Sequence, residues 1–205
     1  MRTEIIPADH GESIQRALEV LHKGGLVSFP TDTVYGLGAL AFDGEAVESI
    51  YLAKDRPIEK AIPVLIGDDT DLEKVSDDIS DVTRKLASQF WPGPLTVIVP
   101  KRPTLPESVS ATNTIGVRIP DHPVARELLR AAGPMAVTSA NISGQPSPAT
   151  AQEVFDQLNG RIELIIDGGR TPGGIPSTLV DCSESEIKVL REGPITLEQI
   201  LSAIF

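Results

Sequence analysis

Ile14, Ala17, Leu18 and Leu21 recur at the spacing of one helix face behind Ser13, and Gly24-Gly25 closes the pattern as a helix C-terminus does. The apolar run from Leu26 to Phe29 predicts a strand that leads through Pro30 into a polar, glycine-bearing turn from Thr31 to Gly38. Val47, Ile50 and Tyr51 predict a second helix. It must stop near Arg56, because the ring of Pro57 crowds helical geometry in the residue before it. Further strands are predicted at Ile62 to Ile66, Leu95 to Val99, Ile115 to Ile119, Met135 to Thr138, Leu164 to Ile166, Thr178 to Asp181 and Ile187 to Leu190. Val82, Leu86 and Phe90 mark one intervening helix face, and Val124, Leu128 and Leu129 another. Thr150 with Glu153, and Thr196 with Gln199, have the spacing of capping boxes and predict two more helix starts.

Helices and strands that alternate with short connections predict one α/β domain over residues 1–205, built on a mostly mixed sheet. The pattern leaves the strand order open. With 40% hydrophobic but 4% aromatic residues, the core must be aliphatic. One cysteine, Cys182, excludes an internal disulfide framework and any multi-cysteine zinc site. Residues 1–12 carry neither a basic nor an apolar leader segment, and no apolar run nears the ~20 residues of a membrane span, so a cytoplasmic protein with no membrane partner is expected.

The net charge of −11 speaks against a general nucleic-acid binder, which needs a surplus of Lys and Arg on at least one face. The three histidines, His10, His22 and His122, are scattered. There is no Gly-x-Ser-x-Gly elbow, no HExxH helix, no P-loop and no GxGxxG opening a helix after a strand. What remains is a set of hydroxyl and basic residues at predicted strand ends: Thr31, Thr33 and Tyr35; Lys54, Arg56 and Lys60; Thr114 and Arg118; Ser139, Asn141 and Ser147; Ser177; Arg191. Singly, each fits an ordinary role, hydroxyls satisfying loop backbone and cations facing water. Together they suit attack on phosphorus, where catalysis is mostly positioning and electrostatics.

Five blocks in order change the balance. They are residues Phe29 to Gly38 (FPTDTVYGLG); Lys54-Asp55-Arg56-Pro57 with Lys60; Trp91-Pro92-Gly93-Pro94-Leu95-Thr96; Thr138 to Gly144 (TSANISG) with Pro146-Ser147-Pro148; and Pro176-Ser177-Thr178 followed by Leu190-Arg191-Glu192-Gly193. Through them the chain resembles the YrdC-like family of threonylcarbamoyl-AMP synthases along nearly its whole length, in the short single-domain form. A lid supplied by a further domain is therefore not expected.

The resemblance implies a three-layer α/β fold, a twisted open mixed sheet flanked by helices with a deep cleft. It also implies a nucleotidyltransferase that condenses L-threonine, bicarbonate or CO2, and ATP into threonylcarbamoyl-AMP and pyrophosphate. A separate transferase complex would pass the group to tRNA, so contact with tRNA is expected to be weak or indirect. Carried over residue by residue, the family pattern puts Thr33, Arg118 and Ser177 at threonine, and Arg56, Lys60, Thr114, Ser139, Asn141, Ser147 and Arg191 at ATP. Lys54, Arg56 and Lys60 would act electrostatically, without covalent chemistry. Mg2+ is expected to arrive with ATP, with no protein metal site.

Ala61 follows Lys60 where the family more often carries Pro or Gly. Tyr35 reads as a gate or as core; Trp91 and Cys182 read as packing. Two other readings remain: an RNA-binding or ribosome-associated module, disfavoured by the charge and the few aromatic residues, and a paralogue of lost or altered activity, including a carbamoyl-transfer relative of hydrogenase maturation.

Overall fold

The structure, a computed structural model, describes residues 2–182 and 187–204. Its elements run β1 (Glu4–Pro7), α1 (Ser13–Leu21), β2 (Val27–Pro30), β3 (Tyr35–Leu40), α2 (Gly44–Lys54), β4 (Val64–Leu65), a 3-10 turn (Asp69–Asp71), α3 (Leu72–Val75), α4 (Asp81–Phe90), β5 (Leu95–Pro100), β6 (Thr114–Arg118), α5 (Pro123–Ala132), β7 (Met135–Ser139), α6 (Ala151–Leu158), β8 (Leu164–Asp167), β9 (Thr178–Asp181), β10 (Lys188–Arg191) and α7 (Leu197–Ile204).

The ten strands form one sheet in the order β1-β8-β2-β3-β7-β4-β6-β5-β9-β10. Four pairings are parallel, β1 with β8, β2 with β8, β4 with β6 and β5 with β9, and the rest are antiparallel, so the sheet is mixed. Alternating side chains divide the core into two layers, because successive strand residues point to opposite faces. Val27, Phe29, Met135, Val137, Leu164 and Ile166 pack with Ala17 and Leu21 of α1 and Leu128 and Leu129 of α5. On the other face Leu37, Ala136, Ile165, Val97 and Val117 pack with residues of α2, α4, α6 and α7. Helices on both faces of one sheet give the three expected layers.

Local signals explain most boundaries. Helix α2 ends with Asp55 at φ 51°, one residue before Arg56. At α7 the capping box is reciprocal: Gln199 N–H donates to Thr196 Oγ1 at 3.2 Å and Thr196 N–H to Gln199 Oε1 at 2.8 Å. At α6 the Thr150 hydroxyl caps Glu153 N–H, but the Glu153 carboxylate reaches back to Ala149 N–H instead of Thr150. Cys182 is buried in the core, and Trp91 is half-buried with its indole N–H on the Leu95 carbonyl at 2.7 Å.

The structure corrects one reading. The turn predicted from Thr31 to Gly38 is shorter, and β3 begins at Tyr35. Gly36 and Gly38 look like turn residues in the sequence, yet they sit in a buried strand beside β7. A Cβ on Gly36 would meet Val137 Cγ1 at 2.8 Å, and one on Gly38 would meet Val137 Cγ2 at 2.9 Å. Strand β1 and the short helix α3 add to the elements that the hydrophobic pattern predicts.

Candidate active site

A cleft of about 340 Å³ crosses the middle of the sheet. Its lining comes from the turn after β2 (Thr31, Thr33), from β7 (Val137 to Ser139), and from the ends of β4, β5, β6, β9 and β10. Beside it a glycine permits close packing: a Cβ on Gly116 would lie 2.8 Å from Thr96 Cγ2 and 3.5 Å from Leu179 Cδ1, both residues of the lining. Two residues further along β6, on the same face, stands Arg118.

Arg118 is 5% exposed and held from three sides. Its Nε–H donates to the Gly93 carbonyl at 2.9 Å, Nη1 to Thr33 Oγ1 at 3.3 Å, and Nη2 to Asp32 Oδ1. A guanidinium carries five N–H bonds. The three contacts use one on each nitrogen, which leaves one on each terminal nitrogen for a ligand, the number a carboxylate takes in a parallel pair.

Across the cleft the Ser177 hydroxyl lies 2.7 Å from Thr96 Oγ1 and accepts from Arg191 Nη2 at 3.1 Å, while Arg191 Nε–H donates to the Ser177 carbonyl at 3.0 Å. Arg56 is tied to the backbone, Nε–H to the Lys60 carbonyl at 3.1 Å and Nη2 to the Ala61 carbonyl at 2.9 Å. Burial pulls the pKa of all three guanidiniums below the ordinary value. Arg56 adds to the pull on Arg191, and Arg191 adds to that on Arg118, against the restoring charge of Asp32. The lining contains hydroxyls, three arginines and apolar walls at Pro63, Leu65, Val137 and Leu179, with no carboxylate. In a chain of net charge −11 this lining is a local concentration of positive charge.

Of the residues singled out in the sequence, Thr31, Thr33, Arg56, Arg118, Ser139, Ser177 and Arg191 line this cleft together. Lys54 does not: it is 1% exposed, and its ammonium donates to the carbonyls of Ser139 and Asn141. Ser143 N–H returns a bond to the Lys54 carbonyl at 2.8 Å, so Lys54 braces the loop that follows β7. Burial, then Arg56, lower its pKa to about 7. The Asn141 amide nitrogen serves the same loop, on the Ile142 carbonyl at 2.8 Å and the Gln145 carbonyl at 2.9 Å.

Lys60 is exposed, and Thr114 and Ser147 are half-buried; none of the three is part of the lining. Tyr35 is core: its hydroxyl donates to the Gly169 carbonyl at 2.7 Å and accepts from Gly168 N–H at 3.2 Å, which anchors the loop before Ser177. Thr96 and Asp32 also stand here, and the sequence assigns neither a role. Thr96 had a signal, a polar residue inside the apolar run Leu95 to Val99; Asp32 had none beyond its place between two threonines.

No helix of the described residues is long and apolar enough to cross a membrane, and no group of three or more His, Cys, Asp or Glu among them is placed to hold a metal. The family model Sua5_yciO_yrdC, described as "Telomere recombination", matches residues 19–193. The chain is similar to the threonylcarbamoyl-AMP synthase of Bacillus subtilis, 43% identical over 194 residues that cover 93% of this chain and 56% of that protein. It is 42% identical to the threonylcarbamoyl-AMP synthase of Pyrococcus abyssi over 193 residues, 93% of this chain and 57% of that one. Against the crystal structure of P. abyssi Sua5 complexed with L-threonine the TM-score is 0.94 at 41% identity, covering 98% of this chain and 61% of that chain. The chain thus spans little more than half the length of these relatives.

Proposed function

The chain belongs to the Sua5/YciO/YrdC family, and from that premise we propose that it makes threonylcarbamoyl-AMP from L-threonine, bicarbonate or CO2, and ATP. The observation that carries this reading is the cleft itself: Arg118 with two unused N–H bonds beside the Thr33 and Ser177 hydroxyls, and two further guanidiniums with no carboxylate between them.

In this reaction the threonine amine takes up bicarbonate, losing water, to give a carbamate. A carbamate oxygen then attacks the α-phosphorus of ATP; the new P–O bond forms as the bond to pyrophosphate breaks. Arg118 grips the threonine carboxylate with its two remaining N–H bonds, a fit a lysine cannot reproduce. Thr33 and Ser177 face the same substrate. Arg56 and Arg191 meet the phosphates and offset the charge that gathers on departing pyrophosphate, and the Ser139 hydroxyl orients the nucleotide. Their bonds to backbone and to Ser177 hold both arginines ready, so little reorganisation is needed during attack.

The family pattern also gives Lys60, Thr114, Asn141 and Ser147 to the nucleotide. None of these lines the cleft, so on this reading ATP extends beyond the threonine pocket. Lys54 serves the nucleotide through the Ser139–Asn141 loop. A lining of hydroxyls and guanidiniums suits the phosphates and not a bare cation; Mg2+ would be held by the phosphates, supplying charge neutralisation. The product would go to a tRNA threonylcarbamoyl transferase complex in the cytoplasm.

The test is mass-spectrometric detection of threonylcarbamoyl-AMP after incubation with Mg-ATP, bicarbonate and L-threonine. A folded protein that forms none, yet binds RNA in a salt-sensitive manner, would replace this reading with the RNA-binding one.

A further inference from the structure

We propose that Asp32 is a positioning residue for the amino-acid carboxylate site, acting through Arg118; this rests on the threonine reading of that site. Arg118 has three protein acceptors, and two of them, the Gly93 carbonyl and the Thr33 hydroxyl, are neutral. Asp32 is the third and the only charged one. Among the described residues it is also the only carboxylate paired with any of the three cleft arginines. By holding Nη2 it fixes the plane of the guanidinium, and with it the direction of the two N–H bonds left for a ligand.

The turn after β2 makes this division of labour. Thr31 Oγ1 accepts from Thr33 N–H at 3.2 Å and Val34 N–H at 3.3 Å, and donates to the Val34 carbonyl at 2.7 Å. That knot sets two consecutive side chains to different tasks. Thr33 lines the cleft, whereas Asp32 is not among the lining residues and reaches the Arg118 guanidinium. Asp32 therefore shapes the site through Arg118.

A purely stabilising role fits poorly. The second carboxylate oxygen, Oδ2, is buried with no hydrogen-bond partner. Burying an ion pair with one oxygen unsatisfied is a weak source of stability, since desolvation offsets the attraction. What the pair does provide is a fixed orientation for a guanidinium that burial and neighbouring Arg191 both oppose.

The experiment is calorimetric titration of L-threonine, and separately of a non-hydrolysable ATP analogue, into wild type, Asp32→Asn and Asp32→Glu, with thermal melts to verify folding. Asp32→Asn keeps the shape and loses the charge; threonine affinity is expected to fall about tenfold while the ATP analogue changes by less than about twofold. Asp32→Glu keeps the charge, displaces it by one methylene, and is expected to show the same selective loss. It also serves if the Asn variant does not fold. Threonine affinity unchanged in either folded variant, or equal losses for both ligands, would overturn the proposal. If wild type binds no threonine while binding the ATP analogue, the threonine reading itself fails, an outcome distinct from these.

Discussion

The hydroxyl oxygens of Thr96 and Ser177 lie 2.7 Å apart, both in residues less than 5% exposed. Strands β5 and β9 run parallel, with Leu95 opposite Thr178 and Thr96 opposite Leu179, which brings the start of β9 against the cleft face of β5. Ser177 is thereby oriented by Thr96 on one side and Arg191 on the other.

Thr96→Val keeps the volume and removes this hydrogen bond. It should lower stability by about 1 kcal/mol and raise the KM for threonine several-fold, with the KM for ATP little changed. Steady-state kinetics with each substrate varied, alongside urea melts, check both parts.

Arg118→Lys should raise the threonine KM by at least about tenfold, because an ammonium cannot hold Gly93, Thr33 and Asp32 and still offer two parallel donors. A threonine KM close to wild type would remove Arg118 from the carboxylate role.

Lys54 carries a pH prediction. Its pKa in the folded protein is lowered to about 7 from the ordinary 10.5, so between those values the unfolded chain binds the extra proton. Stability must then rise with pH across that window. The contribution is present in full above the unfolded value and is lost as pH falls through the folded one. In urea melts at pH 7 to 10, wild type should gain stability relative to Lys54→Met as pH increases. A difference independent of pH would mean that Lys54 stays charged throughout. The neutral amine retains two N–H bonds, enough for the carbonyls of Ser139 and Asn141, so the loop stays braced as the charge is lost.

Tyr35→Phe should destabilise the protein by about 1–2 kcal/mol, since it leaves the Gly169 carbonyl without its donor and Gly168 N–H without its acceptor. Its hydroxyl is itself pushed up to about 12, first by burial and then by Asp167, so it stays protonated and no titration below pH 10 should appear. Thermal melts of the two proteins test the first statement, and ultraviolet titration of the tyrosine band the second.

Hydrophobic period made much of this fold legible. Helices α1, α4 and α5 announce themselves through one apolar face each, α6 and α7 through capping-box spacing, and Pro57 marks where α2 has to finish. Strand β3 was hidden because Gly36 and Gly38 are needed for tight contact with Val137, and a glycine required by packing looks like one required by a turn. Strand order was out of reach, because the pairings of β1 with β8 and β3 with β7 join segments far apart in sequence. The cleft arginines could be picked out by family pattern. That Lys54 points into the protein and Asp32 pairs with Arg118 depends on side-chain direction, which residue type and spacing do not encode.

The most direct measurement is pyrophosphate release from Mg-ATP in bicarbonate buffer, with L-threonine, with L-serine and with no amino acid, using Arg118→Ala as the comparison. Release is expected to depend on threonine, to exceed that with serine, and to be lost in the variant. No release with any amino acid from the folded wild type, or release that Arg118→Ala leaves intact, would contradict it.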